Sequence, residues 1–301
     1  MTRREPVLVV GATGSVGRAV VKALLARRAT VRVLVRDPAK VAELPSSVQR
    51  HIGDLRFVDG LQEALLGVGA AFYVSPHDPE EIRLASTFVR ACEAGGIRIV
   101  FAGVHLTGRH DLMRLLKRTA FSLALPRYRG KLRVGELMAN STTRPVVLAV
   151  SNFMQNDEVF LEDILGGVFP EPLAAAGVNR VDLRDVADIA ADALLRPRFP
   201  AGAYPVVGPA SLSGVDCARH WSQALDRPVR YGGHDRGWEA VYRRRLSGPK
   251  LDDWISTFRV LRRHGLATSD DALACTTGLL GRMPRSYATY VRDITTAIMA
   301  G

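Results

Sequence analysis

A glycine-rich segment directly after the first apolar run constrains the fold more than any other feature. Val7–Val10 is followed by Gly-Ala-Thr-Gly-Ser-Val-Gly, and an apolar helical pattern then continues to Ala26. At such a strand–turn–helix junction the glycines permit a tight turn, close approach of backbone to a pyrophosphate, and close helix–strand packing. The helix N-terminus adds unpaired N–H groups and partial positive charge. We therefore expect a dinucleotide phosphate site formed by Gly11, Thr13, Gly14, Ser15, Val16 and Gly17.

Apolar runs typical of strands alternate with helical patterns through the first half of the chain. We predict strands at Val7–Val10, Val31–Val35, Val48–Ile52, Ala70–Val74, Ile97–Ala102 and Pro145–Val150. We predict further helices at Leu61–Leu66, Ile82–Ala94 and Tyr128–Ala139. Strands separated by helices indicate βαβ units, and hence an α/β fold with a doubly wound parallel sheet of the Rossmann type.

After Val150 the pattern changes to short strands and a larger share of helix. We predict helices at Asn156–Leu165, Asp185–Leu195 and Val215–Leu225, and short strands at Val178–Asp182, Tyr204–Val207 and Val229–Tyr231. The last sixty or so residues have helical spacing throughout. The prediction is a Rossmann domain over residues 1–155, to which the chain returns near 178–208. A smaller, mostly helical substrate-binding portion then covers 156–301.

Composition excludes several classes of function. The net charge is +11, but the basic residues are spread along the chain, and the excess of arginine over lysine (36 to 5 of the 41) is what codon choice in a GC-rich genome produces without selection for phosphate binding. Both observations argue against a dedicated nucleic-acid surface. The three cysteines have no metal-ligand spacing, and no uncharged apolar stretch reaches the ~20 residues of a membrane span. We expect a soluble, cytoplasmic protein without a metal.

The end of the second predicted strand bears on the choice of cofactor. Arg36 suits the 2′-phosphate of NADP, with Lys40 as a second positive charge nearby, whereas Asp37 could instead hold the ribose hydroxyl of NAD. The sequence favours NADP and leaves NAD as the alternative.

Several further segments resemble the NmrA-like branch of the atypical short-chain dehydrogenase/reductases. They are Gly53-Asp54-Leu55, the strand Ala71–Ser75, the stretch Ser151–Asn156, the segment Val181–Ala187, and the C-terminal Arg282–Tyr287. The resemblance covers nearly the whole chain. It implies an NAD(P)-binding Rossmann domain and a small C-terminal domain, with a substrate cleft between them.

By position, the resemblance also implies individual cofactor contacts. Asp54 and Leu55 would contact the adenine, and Ser75 and Pro76 would lie along the cofactor. Gly103 would approach the nicotinamide ribose. Lys131 would match the family's lysine, which holds the ribose or the substrate oxygen.

The usual proton relay of the wider superfamily, Tyr-x-x-x-Lys, is absent. None of the seven tyrosines has lysine four positions later, although Tyr128 and Lys131 lie three apart and share a helical face. His105 and Asn152 follow the fifth and sixth strands, and ligands bind at the carboxyl ends of strands in such sheets. These four residues are the catalytic candidates. Their structural alternatives are packing for Tyr128, a turn for Asn152, and a solvated position for His105 and Lys131.

These features favour an NADPH-dependent reductase of a ketone or quinone-type carbonyl in a moderately large, apolar small molecule, with a secondary metabolite as one candidate. Loss of the relay is tolerable where the product oxygen is a stabilised phenolate or enolate. Two alternatives stay open. One is a non-catalytic redox sensor that regulates a protein partner, and the other is a redox-neutral rearranging enzyme.

Overall fold

The computed structural model describes residues 5–76, 78–104, 128–234 and 237–300. The chain divides into two compact units. One unit takes the described residues of ranges 1–105, 129–150 and 183–205, and the other takes those of 106–128, 151–182 and 206–301. Each unit is therefore assembled from stretches that lie far apart in sequence.

The elements are numbered here in chain order. The strands of the described residues are β1 (Val7–Val10), β2 (Val31–Val35), β3 (Gln49–Ile52), β4 (Ala70–Val74), β5 (Arg98–Val104), β6 (Val146–Val150), β7 (Asn152–Phe153), β8 (Val168–Phe169), β9 (Val178–Val181), β10 (Gly202–Val206), β11 (Ser211–Leu212) and β12 (Arg230–Tyr231). The α-helices are α1 (Ser15–Ala26), α2 (Val58–Leu65), α3 (Glu81–Ala94), α4 (Tyr128–Ala139), α5 (Leu161–Leu165), α6 (Leu183–Leu195), α7 (Gly214–Leu225), α8 (Trp238–Arg245), α9 (Gly248–His264), α10 (Asp270–Leu280) and α11 (Tyr287–Ala300). Within these same described residues, 3₁₀ helices span Pro38–Glu43 and Met154–Phe160.

The first unit is built on a seven-stranded sheet in the order β10-β6-β5-β4-β1-β2-β3, in which β1 to β6 pair in parallel. The strand order reverses between β1 and β4. Ligands of open α/β sheets bind at the carboxyl ends of the strands at such a reversal. This topology therefore makes the loops after β1 and β4 the primary candidates for a ligand site.

The apolar sequence of the central strands explains their position in the core. All four residues of β1 are buried, as are the first four of β4, because helices cover both faces of a parallel sheet. Helix α6 packs against α1, where the Arg27 guanidinium contacts the carboxylates of Asp188 and Asp192 at 3.2 and 3.3 Å. A helix from late in the chain is thus part of the first unit.

The second unit combines two small sheets with helices. The strands are ordered β11-β9-β7 in one sheet and β12-β8 in the other. Its apolar core draws on α7, α8, α9 and α11 and includes Trp221, Trp238, Tyr242, Phe258 and Tyr290.

The doubly wound α/β prediction is confirmed, and most elements begin and end within a few residues of their predicted bounds. The single helix predicted over 156–165 is wrong, because that region holds the 3₁₀ helix Met154–Phe160 followed by the short α5. Met154, Asp157 and Phe160 are the buried residues of the 3₁₀ segment. Their spacing of three matches the period of a 3₁₀ helix rather than that of an α-helix.

No helix among the described residues combines the length and the apolar character needed to cross a membrane.

Candidate functional site

The loop after β1 has the backbone geometry that its glycines predict. Gly11 has a φ of +83°, and its carbonyl accepts a hydrogen bond from the Gly14 N–H at 3.0 Å. A Cβ on Gly17 would lie 2.1 Å from the Gly11 carbonyl oxygen, so a side chain there would collide with backbone. A Cβ on Gly14 would lie 3.5 Å from its nearest neighbour, an ordinary contact. The folding of the loop therefore requires Gly11 and Gly17, and Gly14 is exposed where a ligand would approach.

The first turn of α1 is suited to an anion. Gly14 is the N-cap and offers no side-chain acceptor, and the first turn carries no acidic residue. Val16 and Gly17 are buried beneath the turn, whereas Ser15 is exposed and the Thr13 carbonyl accepts a hydrogen bond from Arg18 at 2.9 Å. Neither the N-cap nor the first turn of this 12-residue helix therefore supplies an anionic partner for the N–H groups at its start. A narrow glycine loop behind an uncapped helix N-terminus fits a dinucleotide pyrophosphate.

The residues after β2 distinguish the two cofactor alternatives. The Asp37 carboxylate accepts a hydrogen bond from the Ala39 N–H at 3.0 Å and so caps the following turn. The Arg36 side chain is 65% exposed, and its contact with Asp78 is long, at 3.9 Å. Lys40 lies exposed in the 3₁₀ helix that follows. Since Asp37 is committed to the backbone and Arg36 is loosely held, this arrangement suits a 2′-phosphate better than a free ribose hydroxyl.

Arg56 connects the loop after β3 to the loop after β4. Its guanidinium contacts Asp54 at 3.2 Å, Asp78 at 2.7 Å and Glu80 at 2.8 Å. Burial acts to raise the pKa of Asp78, but the backbone N–H of Glu80 and the Arg56 guanidinium outweigh it and lower that pKa. The Asp54 carboxylate is thus engaged by Arg56, and the neighbouring Leu55 is buried. Adenine contacts for these two residues stay a prediction.

Lys131 is held in a small polar cluster at the carboxyl end of β4. Its ammonium contacts the Glu81 carboxylate at 3.2 Å, and the Ser75 hydroxyl donates to the same Glu81 oxygen at 2.8 Å. The side chains of Lys131 and Glu81 are only 14% and 11% exposed. Ser75 follows Val74, whose side chain would be 2.7 Å from a Cβ on Gly11. The phosphate loop and the polar cluster that holds Lys131 therefore both lie at the carboxyl end of β4.

Tyr73 borders this cluster from inside the sheet. Its hydroxyl is buried and has no hydrogen-bond partner among the described residues. Burial, then the negative charges of Glu81 and Asp78, raise the pKa of Tyr73 far above its usual value. The phenol is therefore neutral throughout the physiological range.

The remaining predicted site residues lie in different parts of the fold, and two of them are not fully described. Pro76 is half-buried after β4, and a Cβ on Gly103 in β5 would lie 2.5 Å from the Phe101 ring. Tyr128 is the first residue of α4, and its side chain lies outside the description; His105 lies outside the described residues altogether. Asn152 is in β7 of the second unit, and its buried side-chain oxygen has no partner in the described part of the chain. The proposed catalytic residues thus belong to both units.

A buried ionic cluster occupies the second unit. The Arg180 guanidinium contacts Asp157 at 2.7 Å and Glu171 at 2.9 Å, and all three side chains have no exposure to solvent. Asp157 also accepts hydrogen bonds from Trp221 and Tyr287, whereas the Glu171 oxygens have no hydrogen-bond donor of good geometry in the described part of the chain. Burial, together with the charge of Asp157, outweighs Arg180 and raises the pKa of Glu171 to about 8. Within the described residues no group of acidic, histidine or cysteine side chains is arranged to hold a metal.

Sequence reasoning missed Glu81 and Arg56. Glu81 occupies a position of the buried stripe of α3, in register with Leu84, Ala85 and Phe88. An acidic residue on an apolar stripe signals a buried partner, and here that partner is Lys131. Arg56 carries no comparable signal, because its three carboxylate partners come together only through the fold.

The sequence of this chain matches a family model and several relatives. The model of the NmrA-like family matches residues 3–234. A relative described as an NAD(P)H azoreductase, from Xenophilus azovorans, is 33% identical over 75% of this chain and 76% of its own length. A (4-alkanoyl-5-oxo-2,5-dihydrofuran-3-yl)methyl phosphate reductase from Streptomyces griseus is 30% identical, with 75% and 76% covered.

Solved structures share the fold at low sequence identity. The triphenylmethane reductase of a Citrobacter species superposes with a TM-score of 0.78 at 18% identity, covering 97% of this chain and 99% of that one. The NADPH complex of a quinone oxidoreductase from Escherichia coli gives a TM-score of 0.76 at 18% identity, with 96% and 99% covered. With the family model matched over most of its length and the fold shared along nearly all of it, the chain belongs to the NmrA-like family.

Proposed function

We propose that the protein is an NADPH-dependent reductase of a conjugated carbonyl, such as a quinone or an aryl ketone, in a moderately large and apolar small molecule. The coarser class, an NAD(P)H-dependent reductase, has the support of the azoreductase and the phosphate-ester reductase among its relatives. NADP(H) as the cofactor has the support of the NADPH-bound quinone oxidoreductase that shares the fold.

One observation carries the proposal: a cradle suited to a pyrophosphate and a held ammonium group lie at the carboxyl edge of the same sheet. The cradle is the loop from Gly11 to Gly17, and the ammonium is that of Lys131, held by Glu81. A site for a dinucleotide and a cation for a developing oxyanion are the two elements that carbonyl reduction needs.

The residues take separate roles in this proposal. The glycine loop and the start of α1 bind the pyrophosphate, and Arg36 with Lys40 binds the 2′-phosphate. Lys131 donates a hydrogen bond to the nicotinamide ribose or to the substrate oxygen that gains negative charge. Bound NADPH supplies the hydride.

Because the Tyr-x-x-x-Lys relay is missing, the substrate should be one whose product oxygen does not need a proton in the transition state. A simple alkoxide needs a proton in the transition state, whereas a hydroquinone-type phenolate or an enolate spreads its charge over a conjugated system. A fixed ammonium then suffices to stabilise the oxygen. Asn152, with its unpartnered side-chain oxygen, is a second candidate to orient the substrate by accepting a hydrogen bond.

The test is NADPH oxidation, measured against a panel of quinones, aryl ketones and azo compounds, with NADH in parallel. We expect turnover with NADPH preferred, and a Lys131→Met variant about 100-fold lower in kcat, the usual effect of losing one oxyanion-stabilising donor. Lys250→Met is the matched control, because Lys250 lies over the Trp254 ring in α9 and has no role in the proposed site.

Absence of turnover across the panel would contradict the reductase. The redox-sensor alternative then requires that NADP⁺ and NADPH bind with different affinities, because a ligand shifts a conformational equilibrium only through differential binding. Calorimetric titration with both cofactor forms decides that question.

A further inference from the structure

We propose that Glu81 is the positioning residue of this site: its buried carboxylate fixes the Lys131 ammonium at the carboxyl edge of the sheet, and Gly130 is glycine in order to leave room for it. The inference rests on the proposed reductase function, and it names a residue pair on which the activity depends.

The contacts of Glu81 hold its carboxylate in place. A carboxylate with 11% exposure needs compensation for lost hydration, and it receives an ion pair from Lys131 and a hydrogen bond from the Ser75 hydroxyl. Glu81 is also the first residue of α3, where the helix dipole favours a negative charge. The carboxylate is therefore held at a defined place, and Lys131 is held with it.

Gly130 lies against the Glu81 carboxylate. An added Cβ there would lie 2.1 Å from one Glu81 oxygen and 3.1 Å from the carboxyl carbon. The atoms in the way are the end of a flexible side chain rather than backbone, so an alanine would push the carboxylate aside without breaking α4. Glycine is costly inside a helix, and the clearance for Glu81 accounts for its presence at this position.

The consequence for Lys131 follows from its geometry. An ammonium has three N–H donors, and the described residues show one of them pointing to Glu81. Glu81 thus sets the direction of the other donors, and a displaced donor of this kind loses catalytic effect within about 1 Å. Glu81 acts through Lys131 and does not itself contact the reacting atoms.

Two substitutions remove the positioning in different ways, and each has a matched control. Glu81→Gln removes the charge at constant shape, and Gly130→Ala displaces the carboxylate. Glu93→Gln changes a carboxylate at the other end of α3 that binds Ser141 and the Thr142 N–H. Gly135→Ala adds a methyl group to the same helix α4, where no atom lies within 4 Å of the added Cβ.

The kinetic readout is a double-mutant cycle. We expect Glu81→Gln and Gly130→Ala to lower kcat about 10-fold or more, with a smaller change in the KM for NADPH, and the two controls to retain wild-type kcat. In a Lys131→Met background, Glu81→Gln should cause no further loss, because Glu81 has nothing left to position. Full additivity of the two substitutions would overturn the proposal in favour of a merely structural role.

The second readout does not depend on turnover. The chain has five lysines, so the labelling rate of Lys131 by an amine-reactive ester can be followed by peptide mass spectrometry, with Lys250 as the internal reference. A lysine that is released from its carboxylate can turn toward solvent, so its nitrogen meets the reagent more often than in the paired, 14% exposed state. We expect labelling of Lys131 to accelerate several-fold in Glu81→Gln and Gly130→Ala and to stay unchanged in both controls. Unchanged labelling in all four variants would refute the pairing, even if the wild-type protein turned over no substrate in the panel.

Discussion

Arg36 decides between the two nicotinamide cofactors in the proposed site. Its side chain is exposed, has one long contact with Asp78, and follows directly from β2. Asp37, the alternative partner of a ribose, is already engaged with the backbone of Ala39. Selectivity at this edge therefore depends chiefly on the Arg36 guanidinium, with the Lys40 ammonium as a second positive charge.

We expect Arg36→Ala to raise the KM for NADPH about 10- to 100-fold, because a hydrogen bond to a charged group contributes about 1.5–3 kcal/mol. The KM for NADH should change little, since NADH lacks the 2′-phosphate. Arg219→Ala is the matched control, because Arg219 is similarly exposed, at 61%, and pairs with the Asp216 carboxylate. A parallel loss with both cofactors would assign Arg36 a structural role instead.

A substitution of Asn152 should affect stability and activity in different ways. Its buried side-chain oxygen lacks a partner in the described chain, and an unpaired buried acceptor costs free energy in the folded protein. We expect Asn152→Ala to leave the melting temperature unchanged or higher while kcat/KM falls by about 10-fold. A lower melting temperature with unchanged kinetics would mean that Asn152 serves the fold and not the substrate.

At the scale of elements, the glycines of the loop before α1 serve two different purposes, backbone packing and cofactor binding, and single substitutions can separate them. Gly17 is needed for packing, because its neighbour is the Gly11 carbonyl at 2.1 Å from an added Cβ. Gly14 has ordinary clearance and a φ of −85°, which alanine adopts without strain.

Gly17→Ala should therefore lower the free energy of unfolding by about 1–3 kcal/mol, as overpacking does, and abolish NADPH binding as well. Gly14→Ala should retain wild-type stability and still weaken NADPH binding, because its methyl group occupies the approach of the pyrophosphate. Urea unfolding and cofactor titration of both variants check the difference. If Gly14→Ala binds NADPH normally, the phosphate does not lie against this glycine.

The sequence predicts best those elements whose residues are all buried or follow one regular pattern of burial along their whole length. The continuous apolar run of β1 is buried on both sides, so its bounds follow directly from composition. The 3₁₀ segment at Met154–Phe160 escaped prediction because Asp157 shares the buried period with Met154 and Phe160. An ionic residue inside an apolar stripe hides the period until its partner, Arg180, is known.

The same reason limits prediction of the candidate site. The glycine loop and Arg36 are local in sequence and were predicted as cofactor ligands. The cluster of Ser75, Glu81 and Lys131 joins residues up to 56 positions apart, and only the parallel pairing of β4 with β5 and the placement of α4 bring them together. Ser75 and Lys131 were predicted as cofactor residues only through the resemblance to the family. Glu81 lies on the buried stripe of α3, but it also lies in the first turn of the helix, where solvated carboxylates are common.

At the scale of the whole molecule, the buried cluster of the second unit makes stability depend on pH. Glu171 has a pKa raised from 4.5 to about 8 in the folded protein. As the pH rises from 4.5 to 8, the unfolded chain releases this proton while the folded chain retains it. The free energy of unfolding should therefore fall over that window, by up to about 1.4 kcal/mol per pH unit, and level off above it.

Glu171→Gln should remove this dependence and be more stable than the wild type at pH 8, with the difference shrinking toward pH 4.5. Urea unfolding across the window measures both curves. Parallel curves for the two proteins would show that Glu171 is ionised in the folded state and that Arg180 neutralises it.

The return of the chain to its first sheet sets an order of assembly during synthesis. The seven-stranded sheet includes β10, and α6 packs on α1, so the first unit draws on residues up to 205. A ribosome that has released only the first 150 residues has exposed β1 to β6 without the helix and edge strand that cover them. The nascent chain must hold five largely apolar strands and the polar edge strand β3 in an incomplete layer until about fifty more residues emerge, so the apolar strands are open to chaperones during that interval.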